Sequence, residues 1–357
     1  MKATAKLHQL GQSIWLDNIT REMLDSGELQ RYVEEYSVTG LTSNPSIFDK
    51  AIGSGVYDEA IHRHATGEDH EALFFTLAIE DLQRAADLFA PVHAQTDGVD
   101  GWVSLEVSPL LAYDTDSTVR AAKPLHERAQ RENLFIKIPG TEQGLSAIEQ
   151  SIFAGVPVNV TLLFSAKQYL AAADAYMRGV ERRIEAGLDP AVGSVASVFM
   201  SRWDAAVQDR VPDQLRDRLA LAVGLEVYRA YRQLLDSERW QRLANSGARV
   251  QRLLWASTST KDPKASDTLY VHGLGAPFTV NTMPDATLRA FYDHGEVGDP
   301  MPADGGNAEA TLAEFASAGI DVDQLAAQLQ SDGAQSFVDA WKDLMGRIEA
   351  QTAAVRA

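Results

Sequence analysis

The most conspicuous chemical group in the chain is a lysine set in an apolar run, Leu134-Phe135-Ile136-Lys137-Ile138-Pro139. Burying an ammonium is costly, and desolvation favours the neutral amine. A neutral amine attacks carbonyl carbons and forms Schiff bases. The plainer alternative is a lysine at a strand end whose head reaches water or pairs with Glu106. Asp17 and Glu106 are the candidate acid/base groups, although a carboxylate near a buried lysine often serves only as its counter-ion. Asn159 and Thr161, in Val158-Asn159-Val160-Thr161, are polar residues in a strand-like run, so their side chains need partners, either in a core network or on a ligand. Asn44, in Thr42-Ser43-Asn44-Pro45-Ser46, could hold a hydroxyl through its amide. Asn-Pro is also a common turn starter and Ser46 could cap a following helix, so turn chemistry is the favoured reading there.

A second group of residues could hold an anion. Ser197, Phe199 and Arg202 lie in Ser197-Val198-Phe199-Met200-Ser201-Arg202, where the hydroxyl and guanidinium could grip a phosphate. A helix-starting Ser201 and a surface arginine would explain the same letters. The run Ser257-Thr258-Ser259-Thr260-Lys261 offers hydroxyls, backbone amides and one cation, or simply a polar loop ahead of Asp262-Pro263. The eight histidines show no metal-ligand spacing; His62 and His64 are two apart and do not share a helical face. Gly273 and Gly275 do not make a dinucleotide fingerprint. A carbonyl-activating lysine needs no metal.

These residues require elements that bring them to one place. The chain alternates short β-type runs with longer helical patterns. Candidate strands cover 14–17, 38–44, 102–107, 134–139, 156–163, 193–200, 252–257 and 278–283. Candidate helices cover 71–89, 117–131, 142–153, 166–186 and 214–235, the last with Leu215, Leu219, Val223, Val227 and Tyr231 at helical spacing. Eight strands alternating with helices predict an α/β fold, a single (β/α)8 TIM barrel with additional helices; an open doubly wound sheet is the main alternative. The long intervals after the second and sixth strands hold extra helices, and no linker marks a boundary. The reading is therefore one barrel domain over 1–357, with 299–357 a helical C-terminal extension packed on it. Its helices are expected at 308–318, 322–330 and 334–351. Exposed apolar residues on these late helices would serve either a homodimer face or docking on the barrel.

Strand parity sharpens the reading. Val103 and Leu105 share one face, Ser104 and Glu106 the other; Ile136 and Ile138 oppose Phe135 and Lys137; Val158 and Val160 oppose Asn159 and Thr161. The purely apolar parity suits the face under the helices, so the mixed parity points into the barrel. Its polar members, with Asp17, Asn44 and Ser197, collect toward C-terminal strand ends, where barrel enzymes build active sites.

Composition removes other classes. Hydrophobic residues make up 45% and charged residues 23% of 357, which excludes a disordered or fibrous chain. Lys plus Arg is 32 against 50 Asp plus Glu, a formal charge of −18, which disfavours nucleic acid and anionic membrane as partners. An anionic substrate must then be held by a few local cations. There is no cysteine, which excludes thiolate chemistry and suits a reducing compartment. Without a secretory signal or an apolar run of membrane-spanning length, the expected location is cytoplasmic.

Together the motifs Leu41-Thr42-Ser43-Asn44-Pro45-Ser46, Phe135-Ile136-Lys137-Ile138-Pro139, Asn159-Val160-Thr161-Leu162-Leu163-Phe164-Ser165 and Ser197-Val198-Phe199 with Arg202 resemble the transaldolase family in its longer bacterial form. The resemblance implies a (β/α)8 barrel with the Schiff-base lysine, Lys137, on the fourth strand. It implies Asp17 as the acid/base for carbon–carbon cleavage, and Glu106 with Thr161 and a bound water as the proton carrier around the carbinolamine. Asn44 and Asn159 would hold donor hydroxyls, Ser197 and Arg202 the phosphate, and Phe199 would shape the pocket. Many members carry an arginine after the seventh strand where this chain has Ser259, so Lys261 is expected to supply the charge there. The implied activity is transfer of a dihydroxyacetone unit between sugar phosphates in the non-oxidative pentose phosphate pathway, with no metal, nicotinamide or thiamine cofactor. Its rivals are a Schiff-base fructose 6-phosphate aldolase, which needs no acceptor, and a non-catalytic sugar-phosphate binding protein.

Overall fold

The computed structural model describes residues 1–64 and 69–356. Eight strands run β1 (Gln12–Asp17), β2 (Val38–Thr42), β3 (Val103–Glu106), β4 (Leu134–Pro139), β5 (Val158–Leu163), β6 (Ser194–Phe199), β7 (Gln251–Ala256) and β8 (Thr279–Met283). They pair in parallel in the order β2-β1-β8-β7-β6-β5-β4-β3. The two ends of that order meet. Leu41 donates its backbone N–H to Trp102 O at 2.9 Å, and Gly101 donates to Thr39 O at 2.9 Å. The sheet is thus a closed (β/α)8 barrel and not the open doubly wound alternative. Gly40 is required at this seam, because a Cβ there would lie 2.7 Å from both Trp102 O and the Trp15 indole.

All strand residues except Asp17 are buried, as a sheet covered by helices outside and filled by side chains inside requires. Indole and phenyl rings fill the lower interior: Trp15 lies 6.2 Å from Phe135, and Trp102 stacks on Phe135 at 4.0 Å. At the N-terminal end the charges are paired. Arg252 donates to Thr279 O at 2.9 Å and to Ser13 Oγ at 2.6 Å, and Trp15 Nε1 donates to Asp100 at 2.8 Å. Helix starts are fixed by local chemistry. Thr141 caps the helix Glu142–Phe153 by accepting from Gly144 N, and Ser165 with Gln168 forms a capping box on Ala166–Glu185.

Three sequence expectations are corrected. β2 ends at Thr42 rather than at residue 44, because Asn44 is already the N-cap of the helix Pro45–Ile52; Ser46 lies inside that helix and does not cap it. The helix expected from 214 begins at Leu219, since Arg216 is extended and Asp217 sits at φ 57, which separates it from a short turn at Asp213–Leu215. The two late helices expected at 322–330 and 334–351 are one, Val322–Arg356. Gly333 does not interrupt it. A Cβ there would lie 2.9 Å from Arg202 Nη1 and 3.0 Å from Leu162 Cδ2, so the helix backbone runs close over those side chains and a larger residue would push their ends aside.

That helix crosses the C-terminal mouth of the barrel. Its buried positions Leu325, Leu329, Gly333, Phe337, Trp341, Leu344 and Ile348 recur every three or four residues and form one stripe. Gln330 donates to Gly140 O at 3.0 Å and Leu162 O at 2.9 Å, beyond β4 and within β5. On the opposite side Arg347 pairs with Asp49 at 2.7 Å and Gln351 donates to Ile52 O at 2.8 Å. No described helix is long and apolar enough to cross a membrane.

Candidate active site

The mixed parity does point inward, and its polar members form two layers. In the lower one, Ser197 on β6 donates to Asn159 Oδ1 at 2.7 Å, and Asn159 Nδ2 donates to Ser104 Oγ on β3 at 3.1 Å. This chain crosses the interior and ties three strands together. Above it, parallel register sets Glu106 on β3 beside Lys137 on β4. Lys137 Nζ lies 3.4 Å from Glu106 Oε2 and donates to Ser43 O at 3.0 Å; Ser43 Oγ in turn donates to Ser104 O at 2.8 Å. Lys137 and Glu106 are each only 5% exposed.

Three buried oxygens here are left over. Beyond the ion pair, neither Glu106 oxygen has a hydrogen-bond partner among the described residues, and neither does Thr161 Oγ1. Buried polar atoms in ordinary cores are almost always satisfied. Orphans gathered beside a buried amine are groups available to a ligand. Burial pushes the Glu106 carboxyl above its ordinary pKa, opposed by the charge of Lys137. Asp17, at the lip, is partly exposed, yet surrounded closely enough that desolvation also pushes its pKa up. The Lys137 charge and the hydrogen bond from Thr42 Oγ1, at 2.8 Å, pull it back down. A cavity of about 400 Å³ opens beside Asp17, lined by Asn18, Lys50, Ser54 and Tyr57 among others.

The backbone is bent to make this end of the barrel. β5 shifts register between Val160 and Leu163, and Leu162 sits at φ 60. A left-handed conformation costs a branched residue about 1–2 kcal/mol, and bulges of this kind re-aim neighbouring side chains, here Thr161. Ser257, at the end of β7, is likewise left-handed at φ 55, and its Oγ meets Ser201 Oγ at 2.9 Å.

The anion end is separate. Arg202 lies against Phe199, with Cζ 5.1 Å from the ring centre, and has no hydrogen-bond or ion-pair partner among the described residues. Burial lowers its pKa, with some opposition from Asp332. Lys261 donates to Ser259 Oγ at 2.7 Å, and its pKa is lowered by burial and then by the charge of Arg202. Two cations that repel each other, one of them largely buried and unpaired, are relieved by a bound dianion. Asn44 divides its amide. Oδ1 accepts from Ile47 N at 3.1 Å and Ser46 Oγ at 2.7 Å, while Nδ2 has no partner among the described residues. The turn chemistry expected at Asn44 is therefore present, and one donor is left for a ligand.

Sequence reading missed Thr42, Gln330 and Phe337. Thr42 stands in the sequence only as a member of the Leu41–Ser46 motif, with nothing local to pair it with Asp17. Phe337, whose ring centre lies 6.0 Å from Lys137 Nζ, comes from a helix that no local pattern places over the barrel.

A profile of the family described as transaldolase/fructose-6-phosphate aldolase matches residues 14–348. The chain is 45% identical to the transaldolase of Acidothermus cellulolyticus, with 96% of this chain and 95% of that protein covered. It is 44% identical to the transaldolase of Arthrobacter sp., covering 99% and 98%, and 43% identical to that of Mycolicibacterium paratuberculosis, covering 97% and 96%.

The unpaired cations predict a measurable anion site. Titration calorimetry with inorganic phosphate should give saturable binding. Arg202→Leu should weaken it about ten- to a hundredfold, the worth of a charge-assisted contact, and Lys261→Ala by less. Equal affinity in native protein and Arg202→Leu would remove Arg202 from the site.

Proposed function

The chain belongs to the transaldolase/fructose-6-phosphate aldolase family, and on that premise we propose that it moves a dihydroxyacetone unit between sugar phosphates with Lys137 as the covalent carrier. The observation that carries the reading is the buried Lys137 amine, 3.4 Å from a carboxylate with unused oxygens, at the C-terminal end of the barrel.

Glu106, 3.4 Å away, accepts a proton from Lys137 Nζ, and the freed neutral amine attacks the C2 ketone of fructose 6-phosphate or sedoheptulose 7-phosphate. Glu106, with Thr161 and a water, delivers the proton that lets the carbinolamine oxygen leave as water; their unpartnered oxygens support that role. The product is an iminium on C2. Asp17 takes the proton of the C4 hydroxyl and the C3–C4 bond breaks. Its electron pair moves into the iminium, which becomes an enamine on Lys137, and the aldose phosphate departs. A second aldose phosphate enters, the enamine carbon attacks its aldehyde, and the steps run in reverse. Arg202 and Lys261 with Ser259 hold the phosphate and Phe199 shapes the wall; Asn44 and Asn159 hold donor hydroxyls, and Ser197, bonded to Asn159 and apart from the anion end, fixes that amide in place of gripping the phosphate. The covalent intermediate makes the kinetics ping-pong. The formal charge of −18 and the lack of cysteine support a cytoplasmic enzyme that does not engage nucleic acid.

Consumption of fructose 6-phosphate in the presence of erythrose 4-phosphate, read as formation of sedoheptulose 7-phosphate, tests the reading. Lys137→Ala should lower it by at least about a thousandfold, as loss of a covalent nucleophile does. Unchanged activity in that variant would exclude the mechanism.

The acid limb of the pH profile follows from Asp17 as base. Activity requires its ionised form, so the limb of kcat/KM tracks its pKa, which burial raises. Thr42 stabilises the ionised form through its hydrogen bond. Thr42→Val should therefore move the limb to higher pH; a limb that stays put or moves lower would contradict Asp17 as the base.

A further inference from the structure

The enamine on Lys137 has two fates. Attack on an acceptor aldehyde completes transfer. Protonation at C3 by water gives the dihydroxyacetone iminium; water then adds at C2, and dihydroxyacetone leaves with the amine regenerated. The second route is net cleavage of fructose 6-phosphate into glyceraldehyde 3-phosphate and dihydroxyacetone. Which fate prevails depends on whether water other than the one held by Glu106 and Thr161 reaches C3 of the enamine between departure of one aldose and arrival of the next.

The geometry points to Phe337 as the residue that keeps water out, and so as the determinant of transfer over cleavage. The inference rests on Lys137 being the Schiff-base residue. Phe337 projects from the stripe of the helix Val322–Arg356 that faces the barrel mouth. Its ring centre is 6.0 Å from Lys137 Nζ, 6.0 Å from Arg202 Cζ and 6.4 Å from the Phe199 ring. It is itself 9% exposed. An apolar roof thus spans from the amine to the phosphate cation, with Phe199 continuing it as a wall. A carbon skeleton bonded to Nζ lies within contact reach of that ring.

The roof is held in place by contacts on either side of the ring. Gln330, two turns before Phe337, ties the helix to Gly140 O and Leu162 O. Gly333, one turn before, lets the backbone settle on Arg202 and Leu162. One turn after, Trp341 packs edge-on to Phe74 at 5.1 Å. A water-excluding wall of this kind protects a reactive carbanion equivalent from adventitious protonation.

The test is the partition ratio in Phe337→Ala: free dihydroxyacetone released per sedoheptulose 7-phosphate formed, with fructose 6-phosphate and erythrose 4-phosphate both present. The ratio should rise about tenfold or more, since protonation competes directly with capture. Phe337→Leu, which keeps an apolar cover, should restore most of the native ratio. Gln330→Ala, which frees the roof but leaves the ring, should raise it by less than Phe337→Ala; it also serves if the larger truncation fails to fold. A merely structural role would lower both products together and leave the ratio unmoved. A native ratio in both Phe337→Ala and Gln330→Ala overturns the inference while transfer itself continues. Absence of any turnover in the native protein would instead overturn the Schiff-base reading, and this inference with it.

Discussion

Enclosing one amine at the end of a parallel barrel is the constraint around which this molecule is arranged. An uncompensated buried charge costs on the order of 3–5 kcal/mol, so Lys137 must have a partner. Register supplies it. β3 and β4 pair so that Glu106 stands beside Lys137, and Ser43 after β2 turns its carbonyl onto the same nitrogen. The compensation is incomplete: 3.4 Å is long for an ion pair, and among the described residues both carboxylate oxygens still lack hydrogen-bond partners. A pair that existed only to stabilise the fold would be satisfied. The N-terminal end shows the contrast, where Arg252 is braced by a carbonyl and a hydroxyl.

Charge at the other end of the site follows from the composition. A chain of formal charge −18 does not attract a phosphate ester by its overall field. Arg202 and Lys261 must do so locally, and they are held close enough that the charge of Arg202 disfavours that of Lys261. Lysine after the seventh strand offers a point charge and not a fork, so bidentate recognition falls to Arg202 alone. Phe199 and Phe337 flank that guanidinium with rings, which desolvates it and strengthens its contact with an incoming anion.

Much of this was legible in the letters. Alternation in β3 to β6 separates the helix-facing residues from the interior ones, because a two-residue period leaves no other arrangement once both faces are covered. It therefore located Glu106, Lys137, Asn159, Thr161 and Ser197 on one side. What local pattern could not show is anything set by distant packing. The helix Val322–Arg356 reads as two because Gly333 is a poor helix residue, and what favours a glycine there lies on Arg202 and Leu162, far away in sequence. Asn44 reads either as a cap or as a ligand-holding amide, and the structure shows that one end of a single side chain caps while the other is free. The left-handed Leu162 has no signal at all, since a β-type run gives no hint that it is bulged. Each of these misses lies over or beside the site, where local preference yields to function.

The central claim is that Lys137 carries the substrate covalently. Its most direct measurement is borohydride reduction of the native protein during incubation with fructose 6-phosphate, followed by mapping of the modified peptide by mass spectrometry. The account predicts a reduced three-carbon adduct on Lys137, which would identify the nucleophile and the cleaved bond together. An unmodified Lys137 in protein shown to bind the sugar phosphate, or an adduct confined to another lysine, would contradict it.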